Sequence, residues 1–313
     1  MDKNVITFII VTWNNEKQIE ACLDTLTKYT SVPHEVIIVD NVSKDNTCSI
    51  ISQKYPFVRL VKSKENLGFA KGNNLALNKV ETPYLCFINP DVILTEDITQ
   101  PAIKILDQNK NIGLVTNKLC NADGSDQLTT GRFTDFISIL VSVCHLSHII
   151  PNLLKKSLCP EYYKINHGYF FPDWVIGAEM FMRTSDAKTI GGFSTDYYMY
   201  MEDMDICWKV RHQLQKQVFY NADISMIHLG GASEKQNTSY SKQEKLYRNT
   251  FLFCKKYYGK EQTYKLYRFC LNLYKIRYNI LYPFSFSNKI NNLIKHDKKI
   301  INILIRTFDS DII

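Results

Sequence analysis

The first ninety residues alternate short apolar runs with helix-spaced segments, and this alternation restricts the fold more than any other feature of the chain. Residues 5–11 are apolar except for Thr7, and residues 35–39, 58–61 and 84–88 follow as further strand-like runs. Runs this short and continuous read as strands buried on both faces of a parallel sheet. Residues 16–29 place Ile19, Cys22, Leu23 and Leu26 on one stripe, which predicts a helix. Ser43, Asp45, Asn46 and Thr47 supply capping groups for a second. Strand and helix in turn imply βαβ units with helices on both faces, an α/β fold. Ligands of such sheets lie beyond the carboxyl ends of the strands. Residues 12–15, Asp40-Asn41, residues 66–74 and residues 89–91 all fall at those ends, so they are expected to converge on one crevice.

Further along, residues 97–108 and 204–214 read as helices, 113–116, 217–220 and 224–227 as short strands, and 121–124 as a turn. Residues 136–154 are the most apolar stretch, borderline for a membrane span, and are read as an interfacial or acceptor-side helix. A chain of 313 residues accommodates one large domain over 1–240 and an extension over 241–313. That extension carries 15 Lys/Arg against 5 Asp/Glu, or +10, which leaves −3 on the first 240 residues out of the total of +7. Its lysines and arginines alternate with tyrosines, which suits a membrane headgroup layer; no nucleic-acid motif is present. Nine scattered cysteines without a C-x-x-C pair argue for reduced thiols in a cytoplasmic setting, against disulfides and zinc. The N-terminus lacks a signal-peptide layout.

Three carboxylates, Glu202, Asp203 and Asp205, crowd into four positions ahead of a helical segment. A helix dipole is satisfied by one acid at its N-terminus, and three exceed that need. Upstream stand Asp173-Trp174-Val175-Ile176-Gly177-Ala178 and Gly191-Gly192-Phe193, and downstream His228-Leu229-Gly230-Gly231. The string 65–74, Glu-Asn-Leu-Gly-Phe-Ala-Lys-Gly-Asn-Asn, is neither a Walker loop nor a dinucleotide fingerprint. Taken singly, Asp40 could cap a turn, Trp174 could be core, and Asp91 and His228 could be structural.

In this order the motifs resemble those of inverting family 2 glycosyltransferases of the GT-A fold, in particular the rhamnosyltransferase-like branch. The resemblance spans residues 4–233 and fades over 134–171. It implies a Rossmann-like, mostly parallel sheet flanked by helices, followed by a basic helical extension. It implies a donor-nucleotide pocket from Thr12, Asn14, Asp40, Asn41, Asn66, Gly68, Lys71, Asn73 and Asn89, with Asp40 facing a uracil or thymine ring. Asp173, Trp174, Gly177, Ala178, Asp205 and, more remotely, Arg132 fall at sugar- or acceptor-contacting positions. Asn89-Pro90-Asp91 replaces the family's Asp-x-Asp, so Asp91 and His228 are left to hold a divalent ion, Mn²⁺ or Mg²⁺. Asp203 matches the general base, with Glu202 as the fallback.

The function implied is transfer from a dTDP- or UDP-linked sugar, first dTDP-L-rhamnose, to a surface glycan, lipid-linked at the inner face of the membrane. UDP-galactose, UDP-galactofuranose, UDP-glucose and UDP-N-acetylhexosamine stay open as donors, as does a non-catalytic subunit of an assembly complex. A homodimer is compatible with the resemblance.

Overall fold

The apolar runs of the N-terminal third become neighbouring strands of one sheet. The computed structural model describes residues 4–151, 154–155, 158–159, 167–197, 199–230 and 242–308. Gly231, residues 152–153 of the apolar stretch and the expected boundary at 240/241 lie outside them. The chain divides into two units, Met1–Thr130 with Lys164–Asn237, and Gly131–Tyr163 with Thr238–Ile313.

In the first unit, β1 (Ile6–Thr12) pairs in parallel with β2 (His34–Asp40) and β4 (Tyr84–Ile88), and β2 pairs with β3 (Arg59–Lys62). Thr12 stands opposite Asp40 in this register, so both close their strands at the same edge. Helices α1 (Ile19–Tyr29), α2 (Thr47–Lys54) and α3 (Gly68–Leu77) make the crossovers, and α4 (Thr99–Gln108) follows β5 (Val92–Leu94). Successive side chains of β1 alternate faces. Phe8 and Ile10 enter one apolar layer with Leu23, Leu26 and Ala102, whereas Ile9 enters the other with Leu77, Phe87 and Phe193.

The remaining strands are β6 (Ile112–Cys120), β7 (Thr130–Gly131, where the chain passes from one unit to the other), β8 (Tyr169–Phe170), β9 (Trp174–Val175), β10 (Glu179–Arg183) and β11 (Gln217–His228). The main sheet runs β3-β2-β1-β4-β10-β6-β11-β5, with β8 on β11. Strand β10 lies antiparallel to both β4 and β6, so the sheet is mixed at its centre. The two short strands expected over 217–227 are one strand whose register shifts between Asn221 and Ser225. Helices α6 (Thr184–Thr189) and α7 (Glu202–His212) complete the unit.

In the second unit, α5 (Phe136–Val143) precedes α8 (Lys242–Leu281), which breaks at Gly259, and α9 (Asn288–Phe308). The apolar stretch is therefore not one helix over 136–154. It ends after eight residues, and His145 adopts a left-handed φ of 51° before a short 3-10 turn. Residues 131–163, read from sequence as part of the first domain, fall in the helical unit, where Phe133 and Phe136 pack. Phe133 stacks on Phe253, and Phe136 meets Phe269 edge-on. Arg277 grips the buried Asp297 of α9 through two nitrogens and donates a third bond to the Val143 carbonyl. No helix among the described residues is long and apolar enough to cross a membrane.

Candidate active site

The loops at the carboxyl ends of β1 and β2 and the loop leading into α3 are sewn together by side chains. Asn41 N–H donates to the Thr12 carbonyl at 2.8 Å, while its side chain accepts from Leu67 N–H and donates to the Gly68 carbonyl. Asn14, with a left-handed φ of 54°, accepts from Lys44 N–H. For these three of the four loops the hydrogen bonds show the expected convergence. Asp40 is 2% exposed, and its Oδ1 accepts from Thr12 Oγ1 at 3.0 Å and Ser43 Oγ at 2.5 Å. Its Oδ2 accepts from Ser43 N–H at 2.9 Å, and the Cys48 thiol also hydrogen-bonds this carboxylate. Of the other residues in the 65–74 string, Asn66 caps Gly68 N–H, Lys71 is exposed, and Asn73 is buried with its amide bonded to the Phe69 carbonyl.

Asn74, the last residue of the 65–74 string, spans a gap of 119 residues. It accepts from Phe193 N–H at 2.9 Å and donates to the Phe193 carbonyl at 2.7 Å, as a strand partner would. Gly192 must be glycine here: its φ is +64°, and a Cβ would lie 2.3 Å from Asn74 Oδ1.

At the end of β4, Asn89 N–H donates to the Ala178 carbonyl, and Asp91 follows. His228, the last residue of β11, brings Nε2 to 3.4 Å from Asp91 Oδ1, with both side chains largely buried. Gln127 fixes the imidazole. Its Nε2 donates to the His228 carbonyl at 2.6 Å, so its Oε1, 2.9 Å from Nδ1, must be the acceptor. That sets the proton on Nδ1 and leaves the Nε2 lone pair beside the Asp91 carboxylate. Nothing in the turn around Gln127 signals this role in the sequence. Two donor atoms meeting in this way fit a divalent ion that draws its other ligands from a substrate diphosphate. No cluster of three or more His, Cys, Asp or Glu side chains is present among the described residues.

The carboxylates of α7 separate into different environments. Asp203 accepts from Met204 N–H at 2.8 Å and from Gly177 N–H, and a Cβ on Gly177 would lie 3.5 Å from Asp203 Cβ and 3.4 Å from Phe69 Cζ. Both distances are ordinary van der Waals contacts, so Gly177 lies directly against Asp203 and Phe69. Burial pushes the Asp203 carboxyl above the ordinary carboxylate range. Glu202 rises too, through burial first and then the Asp203 charge, and its Oε2 is buried with no hydrogen-bond partner among the described residues. Tyr200 and Met201 just before them have φ of 70° and 75°, a conformation that side-chain-bearing residues adopt at a cost of about 1–3 kcal/mol each.

Asp205 is fully buried and used inside the fold. It accepts from Ser194 Oγ and Tyr197 Oη and ion-pairs with Lys209, so the sugar contact expected of it gives way to an anchoring role. Asp173 ion-pairs with Arg211 at 3.4 Å, Trp174 packs against the second apolar layer, and Ala178 is buried. Arg132 belongs to the second unit, where it ion-pairs with Asp135. Glu179, beside Ala178, is fully buried yet accepts from Thr116 Oγ1, Asn117 N–H and Asn117 Nδ2, and burial lifts it to about 7.

A mixed GT-A sheet whose donor loops, Asp–His pair and buried acid pair share one edge defines the nucleotide-sugar-dependent glycosyltransferases. Within that class the chain belongs to glycosyl transferase family 2, whose model matches residues 7–171. It is 26% identical over 218 residues to the rhamnosyltransferase WbbL of Escherichia coli (strain K12), covering 66% of this chain and 76% of that protein. An uncharacterized glycosyltransferase of Haemophilus influenzae is 28% identical over 112 residues, covering 36% of this chain. The aligned part spans 37% of that relative's length. Among solved structures, the mannosyltransferase PcManGT from Pyrobaculum calidifontis in complex with GDP-Man and Mn²⁺ superimposes with a TM-score of 0.59. It is 15% identical, over 99% of this chain and 88% of that one, a likeness of fold.

Proposed function

We propose that the chain is an inverting, metal-dependent hexosyltransferase moving L-rhamnose from dTDP-L-rhamnose to a hydroxyl of a surface-polysaccharide acceptor. The observation that carries this reading is the placement of Asp203. Its carboxylate is held by Gly177 at the edge where β4 ends, the same edge that carries Asp40, Asp91 and His228. A carboxylate raised toward working pH is a competent general base. Asp203 takes the proton of the acceptor hydroxyl as that oxygen bonds to the anomeric carbon. The bond from that carbon to the diphosphate oxygen breaks on the opposite face, and its electron pair leaves with the diphosphate. Asp91 Oδ1 and His228 Nε2 would hold a divalent ion, which supplies charge neutralisation to the departing diphosphate. Asp40 selects a pyrimidine by accepting from the base N–H in place of the weak donor Cys48. Rhamnose is chosen among donors on the similarity to the E. coli rhamnosyltransferase. A lipid-linked acceptor at the cytoplasmic face of the membrane is chosen on the basic second unit.

Calorimetric titration of dTDP, UDP, GDP and ADP, with and without Mn²⁺, tests the pocket. A metal-dependent preference for a pyrimidine diphosphate is expected. Asp203→Asn should bind it unchanged while transfer from dTDP-rhamnose falls by about 10²–10⁴. Absence of pyrimidine binding under every metal condition would sink the reading; transfer from a UDP-hexose alone would replace the donor.

A further inference from the structure

We propose that the turn joining α8 to α9 seats this protein on a bilayer surface that carries anionic lipids. The proposal deepens the peripheral-membrane part of the reading above and rests on it, assigning the contact to a short, defined tip. Residues 262–296 contain six Lys/Arg; two of them pair with acids just outside the stretch, Lys265 with Glu261 and Arg277 with Asp297, and residues 275–296 around the turn hold no Asp or Glu. Within that stretch, Ile276 and Ile280 lie one helical turn apart near the end of α8 and are 54% and 62% exposed. The turn continues the strip with Tyr282, Phe284 and Phe286, the last 84% exposed. Phe284 and Phe286 stand with ring centroids 6.5 Å apart, and Tyr278 contacts Tyr282. Elsewhere in the hairpin Leu271, Tyr274, Ile294, Ile300 and Leu304 are buried; Tyr264 and Ile305 are also exposed, at 43% and 42%, but the most exposed side chains gather at the turn. Exposed Lys275 and Lys289 bracket it.

Large exposed aromatics gathered at one end of a helical pair mark a surface that another phase or partner covers. Aromatic rings suit the headgroup layer, and lysines are rewarded by an anionic leaflet at about 1 kcal/mol each. The missing carboxylates decide between occupants. A second copy of the chain would bring the same unopposed lysines to the same place, whereas an anionic lipid surface would neutralise them. Since no described helix is both long and apolar enough to cross, the proposed contact is a seat and not a span.

The test is co-sedimentation of the full chain with vesicles of phosphatidylcholine alone and of an equal mixture with phosphatidylglycerol. Wild type should bind the mixed vesicles and bind the neutral ones at least tenfold more weakly. The F284S/F286S double variant should lose about tenfold or more on mixed vesicles. Phe57→Ser, which removes an exposed ring from the first unit, should change nothing. Unchanged binding by F284S/F286S would overturn the proposal. So would sedimentation velocity without lipid, if it showed wild type as a dimer that this variant dissolves. Pyrimidine-diphosphate binding is read on the same samples. A chain that seats on vesicles without binding nucleotide would sink the transferase reading and leave the tip standing.

Discussion

Glu202 and Asp203 are neighbours in the chain, yet their surroundings treat them differently. Asp203 has backbone donors from Met204 and Gly177, so its charge is supported where it forms. Glu202 has its own N–H and that of Tyr200, but Oε2 faces no donor, and the Asp203 charge opposes its ionisation. A carboxyl raised in the folded state contributes stability in full below its unfolded pKa and loses it as pH rises through the folded value. Thermal melts of wild type should therefore show stability draining away from the ordinary glutamate range upward. Glu202→Gln keeps one acceptor oxygen and removes the charge, so it should be the more stable protein at neutral pH, with the gap closing as the medium is acidified. Gln127 works through another residue. Gln127→Ala frees the His228 ring to turn, and Mn²⁺ affinity in the presence of dTDP should drop about 10–100-fold at unchanged fold, by calorimetry and circular dichroism.

Between elements, a few buried polar grips do what apolar packing alone does not. In the helical unit Arg277 ties α8 to Asp297 of α9 and to the end of α5. Arg277→Ala would leave Asp297 charged and fully buried, at a cost of about 3–5 kcal/mol in urea unfolding; Asp297→Asn added to that variant should recover part of the loss. None of this was readable in the sequence, where 241–313 shows only helix-forming, basic, tyrosine-rich composition. The parallel half of the sheet was readable, because β1, β2 and β4 are apolar runs bounded by polar loops. The reversal of β10 was not, since a buried strand has the same composition whichever way it runs. The break after Val143 was missed for a related reason: the apolar run continues, and only the left-handed backbone at His145 ends the helix. At the site, Asp91, His228 and Asp203 carried motif signals, while Gln127, Asn74 and Glu179 act through partners 101, 119 and 62–63 residues away. Asp205, also in the motif, is fully buried and bonded to Ser194, Tyr197 and Lys209, partners that its place in the sequence does not reveal.

At the scale of the whole molecule, charge is divided along the chain, −3 over residues 1–240 and +10 beyond. Exposed charges a Debye length from their partners are screened at physiological salt, so attraction to an anionic surface must weaken as salt rises, whereas apolar seating does not. Vesicle binding should therefore fall by about tenfold or more across a salt series and level off above zero. The K275E/K289E variant should begin lower and show the shallower slope. The reversed strand β10 has an effect of a different kind. It delivers Gly177, and through it Asp203, to the end of the sheet where β4 stops, and β11 brings His228 to Asp91 at the same end, so the site draws on chain segments more than a hundred residues apart. Under the function proposed, the later segment supplies both the base Asp203 and the metal-facing His228, so a change there touches the release of the donor and the uptake of the acceptor together.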